Sequence, residues 1–419
     1  MRVCAVLMLA ISGTVLAQPA EPVLSLAKKE KQPYLDTLRE LVSIETGSRD
    51  LEGLEKAAYL IEGRLRALGA KVELVDASAD AYRMADTPPK IGKIVVARFE
   101  GRGKKRILLL AHMDTVYPRG MLARQPFRVD GDRAYGLGIA DDKQGVALVL
   151  HALAILKAMD FRDYGLVTVL INADEEMSSP GSRKLITREG TRHDAVFSCE
   201  STRVDSDKLA LATAGIASVV LRVKGRASHA GSAPEMGRNA LYELAHQILQ
   251  TRDLSDPATG LKMNWTVASA GTNRNVIPAE ATATADVRVL RVADYDRIER
   301  EVRERIRARL IPDTQVEMTF ERRRPPLEAN AAARALGAHA QKVYAEIGRR
   351  LTVDSVAEGG GTDAAFAALE SHAATLERFG VQGFGAHSND AEYILLDSIE
   401  PRLYLLARLI MDVSQRKDR

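Results

Sequence analysis

Residues 166–172, LVTVLIN, run apolar over the length of one strand and then give way to Ala173-Asp174-Glu175-Glu176. A strand apolar on both faces belongs in a sheet that helices cover above and below. The chain supplies both. Residues 34–42 and 54–68 have amphipathic helical spacing, the second closing at Gly69, and 146–159 read as an apolar helix. Residues 71–75, 91–99, 106–110 and 195–198 read as strands. The alternation predicts an α/β fold, a mixed sheet flanked by helices. Open sheets of this kind hold ligands beyond the strand ends. Polar residues collect there: His112-Met113-Asp114 after 106–110, Gly138-Ile139-Ala140-Asp141-Asp142-Lys143 at the mouth of the apolar helix, the acidic run after 166–172, and Cys199-Glu200 after 195–198.

Near Gly215 the pattern changes. Strand signals at 217–223, 264–270, 281–290 and 315–321 interleave with helical signals at 239–250 and 294–310, the β-α-β-β-α-β order of a ferredoxin-like α+β insert of about a hundred residues. Arg322-Arg323-Arg324-Pro325-Pro326 reads as the return hinge. Beyond it 331–347 is helical, Gly359-Gly360-Gly361-Thr362-Asp363 opens a helix, and 380–387 form a loop ending in His387. The expected division is a leader at 1–17, a main domain in two parts at 18–213 and 326–419, and an insert at 214–325.

The leader rests on Arg2, the apolar stretch 3–16, too short to span a bilayer, and Val15-Leu16-Ala17 as a small-residue cleavage site before Gln18. It predicts an exported protein, periplasmic or secreted, with no stable membrane anchor. Cleavage removes Cys4 and leaves Cys199 alone, so no intrachain disulfide can form. A formal charge of +3 gives no electrostatic footprint for nucleic acid. The densest charge run, 294–309, mixes both signs around Ile298, Val302 and Ile306 and reads as a solvated helix face.

Carboxylates and imidazoles hold zinc in hydrolytic sites, where a position stays open for water. His112, Asp141, Glu175-Glu176, Glu200 and His387 are too many donors for one catalytic zinc. They suit two ions bridged by one carboxylate. His112 and Asp114, one residue apart, can share a face and suit a ligand with the carboxylate that orients it, although strand-end turns use the same residues. In an extended chain Glu175 and Glu176 point opposite ways, so one ligates while the other faces the water. Alternation equally permits Asp174 with Glu176 on the metal side.

The motifs A-H-M-D-T, G-x-A-D-D-K, N-A-D-E-E, C-E, A-S-H-A-G, N-V-I-P, G-G-G-T-D and a late G-x-x-x-H resemble those of the di-zinc exopeptidase and deacylase family. That family includes glutamate carboxypeptidase, acetylornithine deacetylase, succinyl-diaminopimelate desuccinylase and aminoacylase. The resemblance runs from about residue 35 to the C-terminus and implies the zinc exopeptidase fold, with residues 214–325 as a lid and dimerisation domain. It implies that His112 and Glu200 hold one zinc, Glu176 and His387 the other, and that Asp141 bridges them. Glu175 matches the general base, Asp114 the carboxylate behind His112, and His229 the donor to the oxyanion, often supplied across a homodimer. A cis peptide is implied at Asp141-Asp142. Asn275, Arg288 and Gly361 match substrate-gripping positions.

Within the family the chain is most similar to bacterial glutamate carboxypeptidases that cleave folates. Lys208 and Arg324 match basic residues around the released glutamate. Ala210 departs from the pattern, standing where those enzymes carry a serine that touches the side-chain carboxylate, which admits other C-terminal residues. The implied activity is zinc-dependent carboxypeptidase action on a small-molecule or short-peptide substrate. N-acyl amino-acid deacylase and aminopeptidase activity are the neighbouring readings, and a metal-dependent binding protein without turnover is the reading from another class. Cobalt and manganese compete with zinc at such sites. His151 reads as a packed helix residue, His193, His246, His339 and His372 carry no motif, and Cys199 should face away from the metals.

Overall fold

The computed structural model describes residues 18–388 and 391–416, so the expected leader lies outside the described residues. Six strands form one mixed sheet in the order Lys71–Val75, Ile94–Glu100, Leu166–Asn172, Arg106–His112, Ala195–Ser198, Ala374–Leu376. The first two pairings are antiparallel and the others parallel. Leu166–Asn172 is buried along its whole length. Its neighbours show why: Ile107 and Leu109 enter the main core, while Leu108 and Leu110 enter a smaller core on the opposite face. Helices Val23–Val42, Gln144–Ala158 and Ile399–Gln415 pack together on the first side. Helices Arg183–Gly190 and Ala364–Ala368 close the second. Among the described residues no helix is long and apolar enough to cross a membrane.

The helix Leu51–Leu68 ends as its sequence requires. The Asp50 carboxylate accepts the Gly53 N–H at 3.0 Å at its start, and Gly69 leaves it in the left-handed region at φ 106°. The first helix begins at Val23, well before residue 34, and runs through Pro33. Proline is disfavoured inside helices, and burial of Val23 and Ala27 against the main core compensates here.

A second sheet, all antiparallel, has the order Lys262–Ala270, Glu280–Val289, Gly215–Lys224, Gln315–Arg324. With the helices Ala240–Thr251 and Ala293–Arg305 this is the ferredoxin-like arrangement, and it has its own core around Val219, Leu221, Ala285, Ile298 and Val302. Two expectations change. Arg322 to Arg324 complete the last strand, so the turn back to the main body begins only at Pro325. Residues 380–387 are not all loop: Gln382–Phe384 pairs with Tyr393–Leu395 in a small third sheet that also takes in Arg128–Asp130, Arg133–Tyr135 and Thr202–Arg203.

The C-terminal helix is pinned by Arg402, whose side chain is fully buried. Its guanidinium pairs with Asp207 and donates to the carbonyls of Arg378 at 3.0 Å and Lys208 at 3.2 Å. Arg402→Ala leaves Asp207 without that partner and is expected to cost about 3 kcal/mol of stability. Urea unfolding measures this, and an unchanged midpoint would contradict it.

Candidate metal centre

Three adjacent parallel strands end on one edge of the main sheet. His112 closes Arg106–His112 in register with Asn172, the last residue of Leu166–Asn172, and Ala195–Ser198 flanks the other side. The residues that follow these ends therefore converge. His112 Nε2 lies 2.9 Å from Asp141 Oδ1 and 3.3 Å from Glu200 Oε1. His387 Nε2 lies 3.2 Å from Asp141 Oδ2 and 3.0 Å from Glu176 Oε2. Two donor groups result, His112/Asp141/Glu200 and Asp141/Glu176/His387, and Asp141 gives one oxygen to each. The Asp141-Asp142 peptide is cis, as the resemblance implied.

The electrostatics call for cations between these groups. Burial pushes Glu176 up to about 7, and its Oε1 is buried without a hydrogen-bond partner. His387 is pushed up to about 11 by its hydrogen bonds to Asp141 and Glu176. Asp141 is part-buried, and desolvation alone would raise it, yet hydrogen bonds from both histidines hold it below the usual carboxylate range. The carboxylates thus keep imidazole protons as counter-charge, and divalent ions would replace those protons, since neutral imidazole and ionised carboxylate are the ligating forms. Three carboxylates and two imidazoles fit two such ions.

A second layer of carboxylates holds the first. Asp114 stands 3.3 Å from His112 Nδ1 and also accepts the N–H groups of Glu175 and Glu176 at 3.1 and 3.2 Å and the Ser48 hydroxyl at 2.8 Å. Glu392, which the sequence did not single out, accepts the N–H groups of Gly138, Ala140 and Asp141 and the Tyr117 hydroxyl. Tyr117 also donates to the carbonyl of Ser388 at 2.9 Å, next to His387, whose φ of 62° puts it in the left-handed region. A non-glycine residue in that region is strained, and such strain gathers at functional sites.

Glu175 and Glu176 do not continue an extended chain; they sit in a 3₁₀ turn, Glu175–Met177. Asp174 turns away from the donor groups and accepts from Gly181, Ser182 and the Ser182 hydroxyl, and burial pushes it up to about 6. The alternative that paired Asp174 with Glu176 at the metals is therefore removed. Glu175 Oε1 lies 2.6 Å from Arg324 Nη1, and burial drives its carboxyl well above the usual range against the pull of that guanidinium.

The other expected site residues lie apart from the donor groups. His229 is on an exposed loop of the insert, where Nδ1 accepts the N–H groups of Gly231 and Ser232, both at 3.1 Å. Asn275 is on the facing segment, its carbonyl accepting Ala230 N–H. Lys208 pairs with Glu358, Arg288 with Asp286 and the Gly359 carbonyl, and Arg324 with Asp363 as well as Glu175. Gly361 lies against Arg324, whose Cδ would be 2.6 Å from a Cβ there. Among the remaining residues, His151 packs between Thr37 and Glu30, and Cys199 is buried in the main core.

Residues 108–412 match peptidase family M20/M25/M40. The chain is 45% identical over 408 residues to carboxypeptidase G2 from Pseudomonas sp. (strain RS-16), covering 97% of this chain and 96% of that one. It is 30% identical over 244 residues to acetylornithine deacetylase from Klebsiella pneumoniae (strain 342), covering 54% and 58% respectively. In fold it is similar to the aminopeptidase PepT of Bacillus cereus ATCC 10987, with a TM-score of 0.74 at 19% identity over 92% of this chain and 99% of that one. A metallo-carboxypeptidase of Sulfolobus solfataricus gives a TM-score of 0.68 at 16% identity over 91% and 99%.

Because Asp141 serves both groups, Asp141→Ala is expected to abolish stoichiometric metal, whereas Glu200→Ala, which touches one group, should lose part of the bound metal and keep the rest. Elemental analysis after dialysis reads this, and full metal retention by the Asp141 variant would refute the shared position.

Proposed function

The chain belongs to peptidase family M20/M25/M40 and is a metallo-exopeptidase, and from that premise we propose that it is an exported carboxypeptidase. Its proposed reaction is hydrolysis of the amide bond to a C-terminal amino acid, glutamate foremost, in folates, N-acyl amino acids or short peptides. The observation that carries this reading is the pair of donor groups sharing Asp141, with Glu175 beside them, held by Asp114 next to Glu176 and within the electrostatic reach of His112 and Glu200. Homology to a carboxypeptidase over nearly the whole chain supports the direction of attack. The proposed export rests on residues 1–17.

In this proposal His112 and Glu200 hold one zinc, Glu176 and His387 the other, and Asp141 both. When bound, two such ions supply Lewis acidity to the scissile carbonyl and to the attacking water. The rest of the chemistry belongs to side chains. Asp114 keeps the His112 ring oriented and, through two N–H groups, fixes the turn that carries Glu175. Glu175 accepts a proton from the attacking water and returns it to the leaving nitrogen, a task suited to a carboxyl whose pKa burial has raised.

His229 accepts two N–H groups at Nδ1, so its proton sits on Nε2. That Nε2–H is the proposed donor to the oxyanion, brought to a site by docking of a second copy through residues 214–325. Lys208, Arg288, Arg324, Asn275 and Gly361 are proposed to surround the substrate's carboxylates. Each of the three cations already has an acidic or carbonyl partner that a substrate carboxylate would displace. Ala210 is buried and offers no hydroxyl there, which admits C-terminal residues other than glutamate.

Glu175→Gln should keep its full metal content and lose roughly 10²- to 10⁴-fold in kcat. Near-wild-type turnover in that fully loaded variant would remove Glu175 from the proton-transfer role. Folate and a panel of N-benzoyl amino acids differing only in the C-terminal residue, assayed with and without chelator, test the substrate class. Expected are chelator-sensitive hydrolysis and the highest kcat/KM for glutamate; equal rates across the panel would defeat the acidic preference.

A further inference from the structure

Where the last strand of the insert meets the main body there is a cleft of about 600 Å³, the size of a small-molecule site. No residue of either donor group lines it. Its floor is the Arg183 guanidinium, stacked between Tyr82 at 4.3 Å and Phe366 at 4.9 Å. Its rim exposes Tyr82 by 37%, Val292 by 37% and Leu369 by 41%, large apolar surfaces gathered around one opening. One wall is the helix Arg183–Gly190, on which Lys184 and Arg188 lie one turn apart on the cleft side.

We propose that this cleft binds a small amphipathic anion, an aromatic ring bearing one carboxylate or sulfonate, and that its occupancy holds the insert in the arrangement described here. The ring matches the aromatic floor and apolar rim. The anionic group matches Lys184 and Arg188, both exposed and neither in an ion pair among the described residues. Of the other two cations lining the cleft, Arg322 is committed to Asp296 and Glu299, and Arg183 to backbone carbonyls. Glu370 is the one acid in the lining, against two uncommitted positive charges.

The cleft is mechanically tied to the donor edge. Arg183 donates to Ser178 O at 2.5 Å and Ser179 O at 3.3 Å on the main body, and to Arg323 O at 2.7 Å and Arg322 O at 3.3 Å on the insert's last strand. The next residue, Arg324, grips Glu175 through both its carboxylate at 2.6 Å and its carbonyl at 2.7 Å. A ligand spanning the seam favours the state in which those bonds are made. On the reading of Glu175 as the proton carrier and Arg324 as a substrate contact, the occupied state keeps the two engaged with each other, so kcat falls and KM can rise with it.

Calorimetric titration of the full chain with naphthalene sulfonate, once metal-loaded and once stripped with chelator, tests the site independently of any activity. Expected is one saturable site in both states, weakened roughly tenfold or more by Lys184→Glu/Arg188→Glu and blocked by Thr187→Trp, which fills the cleft. Absence of saturable binding, or unchanged affinity in both variants, overturns the site. Steady-state kinetics of the metal-loaded protein then test the coupling: a lowered kcat, whatever the change in KM, supports it, while purely competitive inhibition with kcat unchanged, or no effect, overturns it. If the chain hydrolyses none of the proposed substrates, the calorimetric result still decides whether the cleft binds.

Discussion

Carboxylates gathered at a buried strand edge repel one another more strongly than they would in water, and each one loses solvation there. Asp141, Glu176 and Glu200 are in that position, and the surrounding structure is arranged around the problem. Its outer layer, Asp114 and Glu392, is satisfied by backbone N–H groups and hydroxyls. Those dipoles hold the loops in place, with the His112 ring 3.3 Å from Asp114 as a further partner. The inner layer keeps one buried oxygen without a hydrogen-bond partner, Glu176 Oε1, and among the described residues its ion-pair partners are the imidazoles of His112 and His387, which must lose their protons to ligate a metal. Metal bound between these groups would complete the charge balance that the backbone leaves open.

The insert is not a passive attachment to this edge. Its last strand ends in Arg324, and Tyr295 clamps that residue by donating to its carbonyl and, at 3.2 Å, to Ile216 O at the start of the insert's first strand. Entry to and exit from the insert are therefore joined at one hydroxyl, and the residue beneath it touches Glu175. Any rotation of the insert against the body acts on the carboxylate proposed to move the proton.

Much of this arrangement is legible in the amino acids. The strands at 71–75, 166–172 and 195–198 coincide with their apolar runs because burial on one or both faces leaves a period the eye can follow. The converging donors could be read because the rules for strand ends put ligands there. The three-residue strands of the small sheet carry no period, so the pairing of Gln382–Phe384 with Tyr393–Leu395 was invisible. Glu175 and Glu176 were expected to alternate, but Asp174 takes the N–H groups of Gly181 and Ser182 and the chain bends into a turn. Glu392 escaped notice because its partners are main-chain N–H groups, which have no signature in sequence. Arg324 was expected at the substrate; its bonds to Glu175 and Asp363 join segments far apart in sequence and follow from tertiary packing alone.

Asp141 has a consequence for how such a chain becomes complete during synthesis. One donor group is fully encoded once Glu200 has been made, whereas the other waits for His387, after the whole insert and most of the second half of the body. The C-terminal segment, latched to the Asp141 turn by Glu392, supplies the last donor of the second group.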